Sequence, residues 1–140
     1  MTRTLRRWVP FTLLVLIALP GCGQKTLSKK ETFPVQGRLM LDGKPVRYAL
    51  VRFIPADENE GTNATGSTDD DGVFKLRTYS GPDGAVPGRY KLELEEYDVV
   101  RMGEIPAGVT PTKIPEKSRT PEVIVEVKAE DNNLGDIKID

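Results

Sequence analysis

One stretch of the chain alternates apolar and charged residues so regularly that only an extended strand would bury one of its faces. The sequence RYKLELEEY runs over residues 89–97. Successive side chains of a β-strand point to opposite faces, so this pattern turns Tyr90, Leu92 and Leu94 inward and the charged residues outward. A helix would scatter the same apolar residues around its circumference. We therefore predict a half-buried strand and an all-β fold around it.

The same period of two recurs along the chain after Phe33, and no helical period competes with it. It predicts six clear strands and a short seventh near Thr65–Thr68, separated by turns of Gly, Pro and Asp. Seven short strands within residues 33–140 are typical of an antiparallel immunoglobulin-like sandwich, the fold class that we predict. The residues predicted to face inward on the other strands are Val35, Gly37, Leu39, Leu41, Ala49, Val51, Phe53, Phe74, Leu76, Thr78, Val123, Val125, Val127, Ile137 and Ile139.

Two local features sharpen this prediction. Tyr90 opens its strand directly after Pro87-Gly88-Arg89, where a tyrosine corner would hydrogen-bond back to the backbone. The predicted strand 46–54 is apolar on its second face too, at Tyr48, Leu50 and Ile54. We expect a central strand whose outer face is covered, either by a later part of the chain or by another protein.

Several turn-and-strand motifs resemble a known family. They are Val35-x-Gly37-x-Leu39, Asp42-Gly43-Lys44-Pro45-Val46, Val51-x-Phe53-x-Pro55 and Thr68-Asp69-x-Asp71-Gly72-x-Phe74. Together they resemble the carboxypeptidase regulatory-like, transthyretin-like domain. The motifs Asp83-Gly84-Ala85-Val86-Pro87-Gly88-x-Tyr90 and Ile114-Pro115-Glu116-Lys117 look specifically like the small single-domain lipoproteins of planctomycete-type bacteria. The resemblance covers residues 33–140. It implies a transthyretin-like sandwich and supplies no catalytic residues to carry over.

The first residues have the features of an export signal. Arg3, Arg6 and Arg7 precede an apolar run over residues 8–19, and small residues follow it. A basic, an apolar and a small-residue region in this order form a secretory signal peptide. As a helix with a rise of about 1.5 Å per residue, the run would reach about 18 Å, short of the roughly 30 Å hydrocarbon core of a bilayer. We therefore predict a signal-peptide helix over residues 1–21.

Cys22 is the only cysteine and stands where the signal would be cut. A lone cysteine in an exported chain forms no internal disulfide. Leu19-Pro20-Gly21-Cys22 resembles the lipobox of bacterial lipoproteins, which implies a diacylglyceryl group on the thiol, cleavage before Cys22, and acylation of the new amine, for example by palmitate. Ordinary signal cleavage and a retained helix stay open as alternatives. Gly23 follows and no aspartate does, which by resemblance to Gram-negative sorting favours the outer membrane.

The polar, patternless residues after the lipobox predict a tether. We expect residues 22–32 to form the lipidated cysteine and a flexible linker to one domain over residues 33–140. Contact of Lys25, Lys29 and Lys30 with anionic headgroups is the alternative role for this stretch.

Signal removal takes three of the 20 Lys and Arg residues and none of the 21 acids, which leaves a net charge near −4. A nucleic-acid partner needs a basic patch, so we predict no nucleic acid as a partner. The lipid anchor predicts a membrane as one partner, and we expect an envelope protein as the other.

The sequence STDDDGVF, residues 67–74, is the strongest candidate for a cation site. Asp69, Asp71 and Gly72 match the spacing of a calcium loop. Ser67 would then be the first ligand, however, and Thr78 stands where a bidentate Glu is needed. A hairpin turn with Gly72 at positive φ explains the same residues. We favour the turn, keep Asp69 and Asp71 as weak metal candidates, and predict no cofactor.

Residues 98–121, here termed the strap, lack any periodicity. They exceed the usual upper loop length of about 12–15 residues, and four prolines prevent a helix. Their apolar residues are too numerous for a free linker, so we expect the strap to pack on the sandwich over the outer face of strand 46–54. Docking of a partner protein is the alternative. The partner-binding candidates are Tyr48, Leu50, Ile54, Ile105, Lys113, Ile114 and Lys117.

Histidine is absent from the chain. This excludes Ser-His and Cys-His nucleophilic pairs and His-ligated zinc or iron sites. We therefore predict a non-catalytic envelope protein that acts as a structural or protein-interaction module. A small-ligand or carbohydrate-binding lipoprotein is the alternative. It would need an aromatic platform from Tyr48, Tyr79 and Tyr97, and clustering of Tyr79 with Tyr97 beside a concavity would favour it.

Overall fold

The computed structural model describes residues 28–57, 61–98 and 103–140, in which eight strands and one short 3-10 helix form two sheets. The strands are β1 (Val35–Leu41), β2 (Lys44–Pro45), β3 (Leu50–Pro55), β4 (Ala64–Ser67), β5 (Val73–Lys75), β6 (Gly88–Glu95), β7 (Ile124–Val127) and β8 (Asn132–Ile139), and the 3-10 helix is Glu116–Ser118. No helix within these described ranges is long and apolar enough to cross a membrane. The predicted signal-peptide helix, Cys22 and the first part of the tether lie outside the described residues.

The first sheet is built around β1. β5 and β2 pair with it in antiparallel fashion, and β8 pairs with it in parallel. The predicted sandwich was wholly antiparallel, and the β1–β8 pair departs from that prediction. The reason is that both strands start at the same end of the domain, with Val35 opposite Asn132. An extra residue in β8 bulges the ladder between Asn133 and Asp136, at Gly135 with φ 62°.

The second sheet has the strand order β4-β3-β6-β7, and all of its pairs are antiparallel. Its β4 edge meets the first sheet just beyond β5. There the backbone groups of Thr65 and Arg77 exchange two hydrogen bonds of 2.8 Å each. The two sheets are thereby joined along one side, while β7 and β8 form the other side.

The core between the sheets contains the side chains that the alternation predicted to face inward. Phe53 of β3 lies at its centre, with ring centroids 5.9 Å from both Phe74 and Tyr90. Thr78 and Val123 are only half-buried, because they lie beyond the strand ends. The other predicted inward residues are buried, namely Val35, Gly37, Leu39, Leu41, Ala49, Val51, Phe53, Phe74, Leu76, Tyr90, Leu92, Leu94, Val125, Val127, Ile137 and Ile139.

β3 begins later than predicted, at Leu50 and not at residue 46. Tyr48 has φ 52°, which lies in the left-handed region and interrupts an extended strand. At this interruption, Thr68 provides the hydrogen-bond partners for both backbone groups of Ala49. Its hydroxyl oxygen accepts the N–H of Ala49 at 2.9 Å, and its own N–H donates to the carbonyl oxygen of Ala49 at 2.9 Å.

The hydrogen bond of the predicted tyrosine corner is present. The Tyr90 hydroxyl donates to the carbonyl oxygen of Val86 at 2.6 Å, and the side chain is fully buried. Burial, with a smaller contribution from Tyr79, raises the pKa of the Tyr90 hydroxyl. The hydroxyl therefore stays protonated and able to donate at neutral pH, which fixes the loop before β6 against the start of that strand.

Candidate functional site

The strand directions define two ends of the sandwich that carry different candidate residues. Residues 28–34 lead into β1 at one end, which we term the tether end; the loop 78–87 before β6 lies there too. The opposite end, termed the distal end, holds the turns 42–49 and 68–72 together with the strap. The two ends are described in turn.

At the tether end, the chain before β1 is fastened to the loop before β6. Phe33 and Ala85 exchange two backbone hydrogen bonds of 2.9 and 3.0 Å. The N–H of Lys30 donates to the hydroxyl oxygen of Tyr79 at 3.0 Å, and the Lys29 ammonium lies 5.2 Å from the centroid of the same ring. The last residues of the predicted tether thus contact the domain.

A single carboxylate holds the loop that carries Tyr79. Asp83 Oδ1 accepts the N–H of Thr78 at 2.7 Å, and Oδ2 accepts the N–H groups of Tyr79 and Ser80 at 3.0 and 3.1 Å. Burial on its own raises the pKa of this carboxyl, but the backbone hydrogen bonds outweigh it, so the pKa of Asp83 lies below its usual value near 3.8. The ionised form is therefore the one that stabilises the loop.

We expect Asp83→Asn to lower the free energy of unfolding at neutral pH by about 1 kcal/mol, because an amide has one acceptor oxygen where the carboxylate has two, so at least one of the three N–H groups loses its acceptor. The folded pKa is depressed, so the contribution is present above the unfolded pKa and is lost as the pH falls through the folded pKa. Urea unfolding at neutral and at acidic pH should show the difference between wild type and variant shrinking on acidification. Asp131→Asn, an exposed acid at the same end, is the control. A difference that does not change with pH would contradict this role.

At the distal end, the strap packs on the sandwich through residues 112–119. The N–H of Thr112 donates to the carbonyl oxygen of Arg47 at 3.0 Å, and the N–H of Arg47 donates to Thr112 Oγ1 at 2.9 Å. The N–H of Leu94 in β6 donates to the carbonyl oxygen of Arg119 at 2.7 Å. These bonds fasten the strap to the turn before β3 and to the free edge at the end of β6.

Ile114 anchors the strap in the core. Its side chain is 2% exposed and belongs to the hydrophobic core, and its N–H donates to Glu96 Oε1 at 3.3 Å. We named Ile114 as a partner-binding candidate from the sequence, but a side chain buried in its own domain offers no surface to a partner. A segment without periodicity gives no indication of which residue turns inward.

Four other candidates lie together at the distal end. Lys113 and Lys117 are exposed on either side of the buried Ile114. Ile105 and Tyr48 are half-buried and line one hollow of about 230 Å³. The distal end therefore combines two exposed ammonium groups, which form no ion pair with any described residue, with apolar surface from two different segments.

Leu50 and Ile54, the other two candidates, lie on the outer face of β3 in separate places. Leu50 lines a groove beside β4, and no described strap residue lines that groove. Ile54 adjoins Pro121 and the exposed Ile124 in a second groove of about 420 Å³. Arg52 lies between them and forms ion pairs with β6 at distances of 3.5 and 2.5 Å. The described outer face of β3 is therefore not one continuous apolar patch.

The two weak metal candidates belong to a tight turn. Asp69 Oδ1 accepts the N–H groups of Asp71 and Val73, both at 2.9 Å, and Gly72 has φ 75°. The Asp69 carboxylate is thus used by its own backbone, as in an Asx turn. The described ranges contain no group of three or more acidic, cysteine or histidine residues that could hold a metal ion.

The tyrosines do not form the platform that would favour a sugar ligand. Tyr79 lies at the tether end, whereas Tyr97 follows β6 at the distal end. Tyr97 instead packs edge-to-face on Tyr48, with ring centroids 6.4 Å apart at 86°. The Tyr97 hydroxyl is buried and has no hydrogen-bond partner among the residues that the structure describes. Desolvation and the nearby Asp70 carboxylate raise the pKa of Tyr48.

No protein-family model matches the chain, and no curated protein matches it. Function is therefore inferred from the geometry of the two ends.

Proposed function

We propose that this chain is an exported lipoprotein, anchored through Cys22 to the cell envelope and most favourably to the outer membrane. Its sandwich acts without catalysis as a docking module for another envelope protein. The separation of the two ends carries the proposal. The chain enters the domain at the tether end, beside Tyr79, and the exposed Lys113 and Lys117 lie at the opposite end. A domain held at one end presents its other end to a partner.

A transthyretin-like sandwich is part of this proposal. It is supported by the tyrosine corner at Tyr90 and by the two sheets packed face to face around Phe53. The absence of histidine from the whole sequence supports a role without catalysis.

The lipid anchor is tested at the cysteine. We expect Cys22→Ser to accumulate in the native host as an uncleaved precursor without lipid, because the thiol that receives the diacylglyceryl group is missing. Radiolabelled palmitate and the intact mass of the purified chain report on lipid and cleavage separately. Thr26→Ser, a change within the same tether, should leave both unaltered. A Cys22→Ser chain that is still processed and membrane-bound would rule out the lipobox.

The docking role is tested by cross-linking in intact cells. An amine-reactive cross-linker, detergent extraction, affinity capture and mass spectrometry should yield one stoichiometric partner linked through Lys113 or Lys117. In a Lys113→Arg/Lys117→Arg double variant, which keeps both charges, the partner should co-purify but the cross-links should disappear. Clean recovery of the bait without an enriched protein would overturn the docking role.

In that outcome a small-ligand or carbohydrate-binding role becomes the better proposal. The hollow shared by Tyr48, Tyr97 and Ile105 would be its site, since the buried Tyr97 hydroxyl there finds no hydrogen-bond partner within the described part of the chain. A sugar array probed with the wild-type chain and with Tyr48→Ala would test it, because Tyr48 lines the hollow and its truncation removes that contact surface.

A further inference from the structure

A charged groove lies on the outer face of β4, between β3 and β5. Its volume is about 630 Å³. Arg52, Lys75 and Arg77 line it, with the hydroxyl-bearing Thr65 and Ser67 between them. Thr65 faces Arg52 across one ladder and is bridged to Arg77 on the other side. The cations of both sheets therefore converge on one strand.

Two of the three cations that line this groove have no acidic partner among the described residues. Three cationic side chains line it, and no acid is among its described lining residues. Arg52 is paired with Glu93 and Glu95. Lys75 and Arg77 are exposed and form no ion pair with any described residue, whereas Arg47 at the distal end is paired at 2.8 Å. Two free cations beside two hydroxyl groups create a surface suited to an anion.

The side-chain types favour a phosphate. The planar guanidinium of Arg77 can donate two parallel hydrogen bonds to phosphate oxygens, and the Lys75 ammonium adds a point charge. The hydroxyl groups of Thr65 and Ser67 can donate further hydrogen bonds to the same oxygens. None of these groups needs to leave an existing ion pair to do so.

One end of the groove lies where the tether joins the domain. Gly81 and Pro82 line that end, and they follow two and three residues after Tyr79, which the tether contacts through Lys29 and Lys30. The chain from Cys22 to Lys29 spans at most about 25 Å when fully extended. A lipid on Cys22 would therefore keep the Gly81–Pro82 end of the groove close to the bilayer surface. Lys29 and Lys30, both exposed, would add positive charge on the same side.

We infer that this groove binds the phosphate of an anionic phospholipid headgroup in the membrane that anchors the chain. The inference rests on the proposed lipid anchor and goes beyond it, because it gives the domain an orientation. The tether end lies against the bilayer, and the distal end points away from it.

The test measures the reactivity of single lysines on two membranes. The lipidated protein is inserted into nanodiscs of phosphatidylcholine, either alone or with phosphatidylglycerol, and acetylated with a neutral amine reagent. Mass spectrometry then gives the rate at each lysine. We expect Lys75 to react about fivefold more slowly on the anionic bilayer and to regain its rate at high salt, as an electrostatic contact should. Lys113, at the distal end of the same molecule, should react equally on both.

Matched charge reversals separate the groove from general attraction to the membrane. Arg77→Glu should abolish the protection of Lys75, and Lys113→Glu should leave it intact. Both side chains are exposed, and thermal unfolding checks that each variant is folded. Arg77→Gln is a milder second variant, which should reduce the protection without introducing a negative charge.

Three outcomes would overturn the inference. The first is an equal reaction rate of Lys75 on both bilayers, and the second is protection of Lys75 that survives Arg77→Glu. Equal protection in detergent by inorganic phosphate or by a soluble anionic polysaccharide would exclude the lipid as the specific ligand. The anchor is assessed separately from the intact mass. If Cys22 carries no lipid, the proposed function fails, and labelling with vesicles of the same two compositions still decides whether the groove binds the headgroup.

Discussion

Gly84→Ala is expected to lower the free energy of unfolding by about 3 kcal/mol or more and to loosen the start of β1. Gly84 has φ 84°, a conformation that costs any other residue energy, and a Cβ at this position would overlap the carbonyl group of Phe33. Backbone cannot move aside as the end of a flexible side chain can. The segment that contains Phe33 and the segment that contains Gly84 must therefore move apart, which breaks the two hydrogen bonds between Phe33 and Ala85.

Gly81→Ala in the same loop is the matched control. Gly81 also has a positive φ, 61°, but nothing lies within 4 Å of a Cβ built there. We expect it to cost only the conformational penalty, about 1 kcal/mol. Urea unfolding compares the two variants, and hydrogen exchange at the Phe33 amide shows whether the loss is local. Equal losses of unfolding free energy in both variants would mean that the close approach of Gly84 to the Phe33 carbonyl group does not contribute to the loss.

Phe53→Ala is expected to cost about 3–5 kcal/mol, the range measured for truncating a large buried aromatic side chain. Phe53 is 0% exposed and contacts Phe74 in the first sheet and Tyr90 in the second. Its removal leaves a cavity between the sheets, and the surrounding strands can close it only in part because their ladders hold them in place. A loss of this size is a large share of the stability of a domain of this length.

Ile124→Ala is the control for this core substitution. Ile124 is 52% exposed on β7, so its truncation removes little buried surface and should cost less than about 1 kcal/mol. Equilibrium urea unfolding followed by circular dichroism measures both variants. A Phe53→Ala variant as stable as Ile124→Ala would show that the ring does not connect the two sheets.

The faces of the strands were predictable from the sequence because they depend on local geometry alone. Side-chain direction alternates along any extended segment, so the inward positions of Phe74 and Leu76 followed from parity. The same alternation turns Lys75 and Arg77 outward. This pattern could have revealed from the sequence that two cations of the charged groove lie on one outer face. The tyrosine corner at Tyr90 was equally accessible, since its partner is only four residues away.

The remaining features depend on contacts that local patterns do not encode. The parallel pairing of β1 with β8 joins the first and the last strand of the chain. No periodicity within either strand specifies which strand lies beside it. The interruption at Tyr48 is a single left-handed residue within an apolar run. The burial of Ile114 and the convergence of Thr65 with Arg77 appear only when distant segments fold together.

The pairing of the first and last strands has a mechanical consequence for a chain held by its N-terminus. Tension applied through the tether enters at Phe33 and runs along β1. The hydrogen bonds from β1 to β8, β5 and β2 lie across that direction, so they bear the load together in shear and do not open one at a time. A pull between the tether and the distal end of β8 would thus load the β1–β8 ladder in shear. Resistance to such a pull is set by the unfolding rate under force, not by the equilibrium stability.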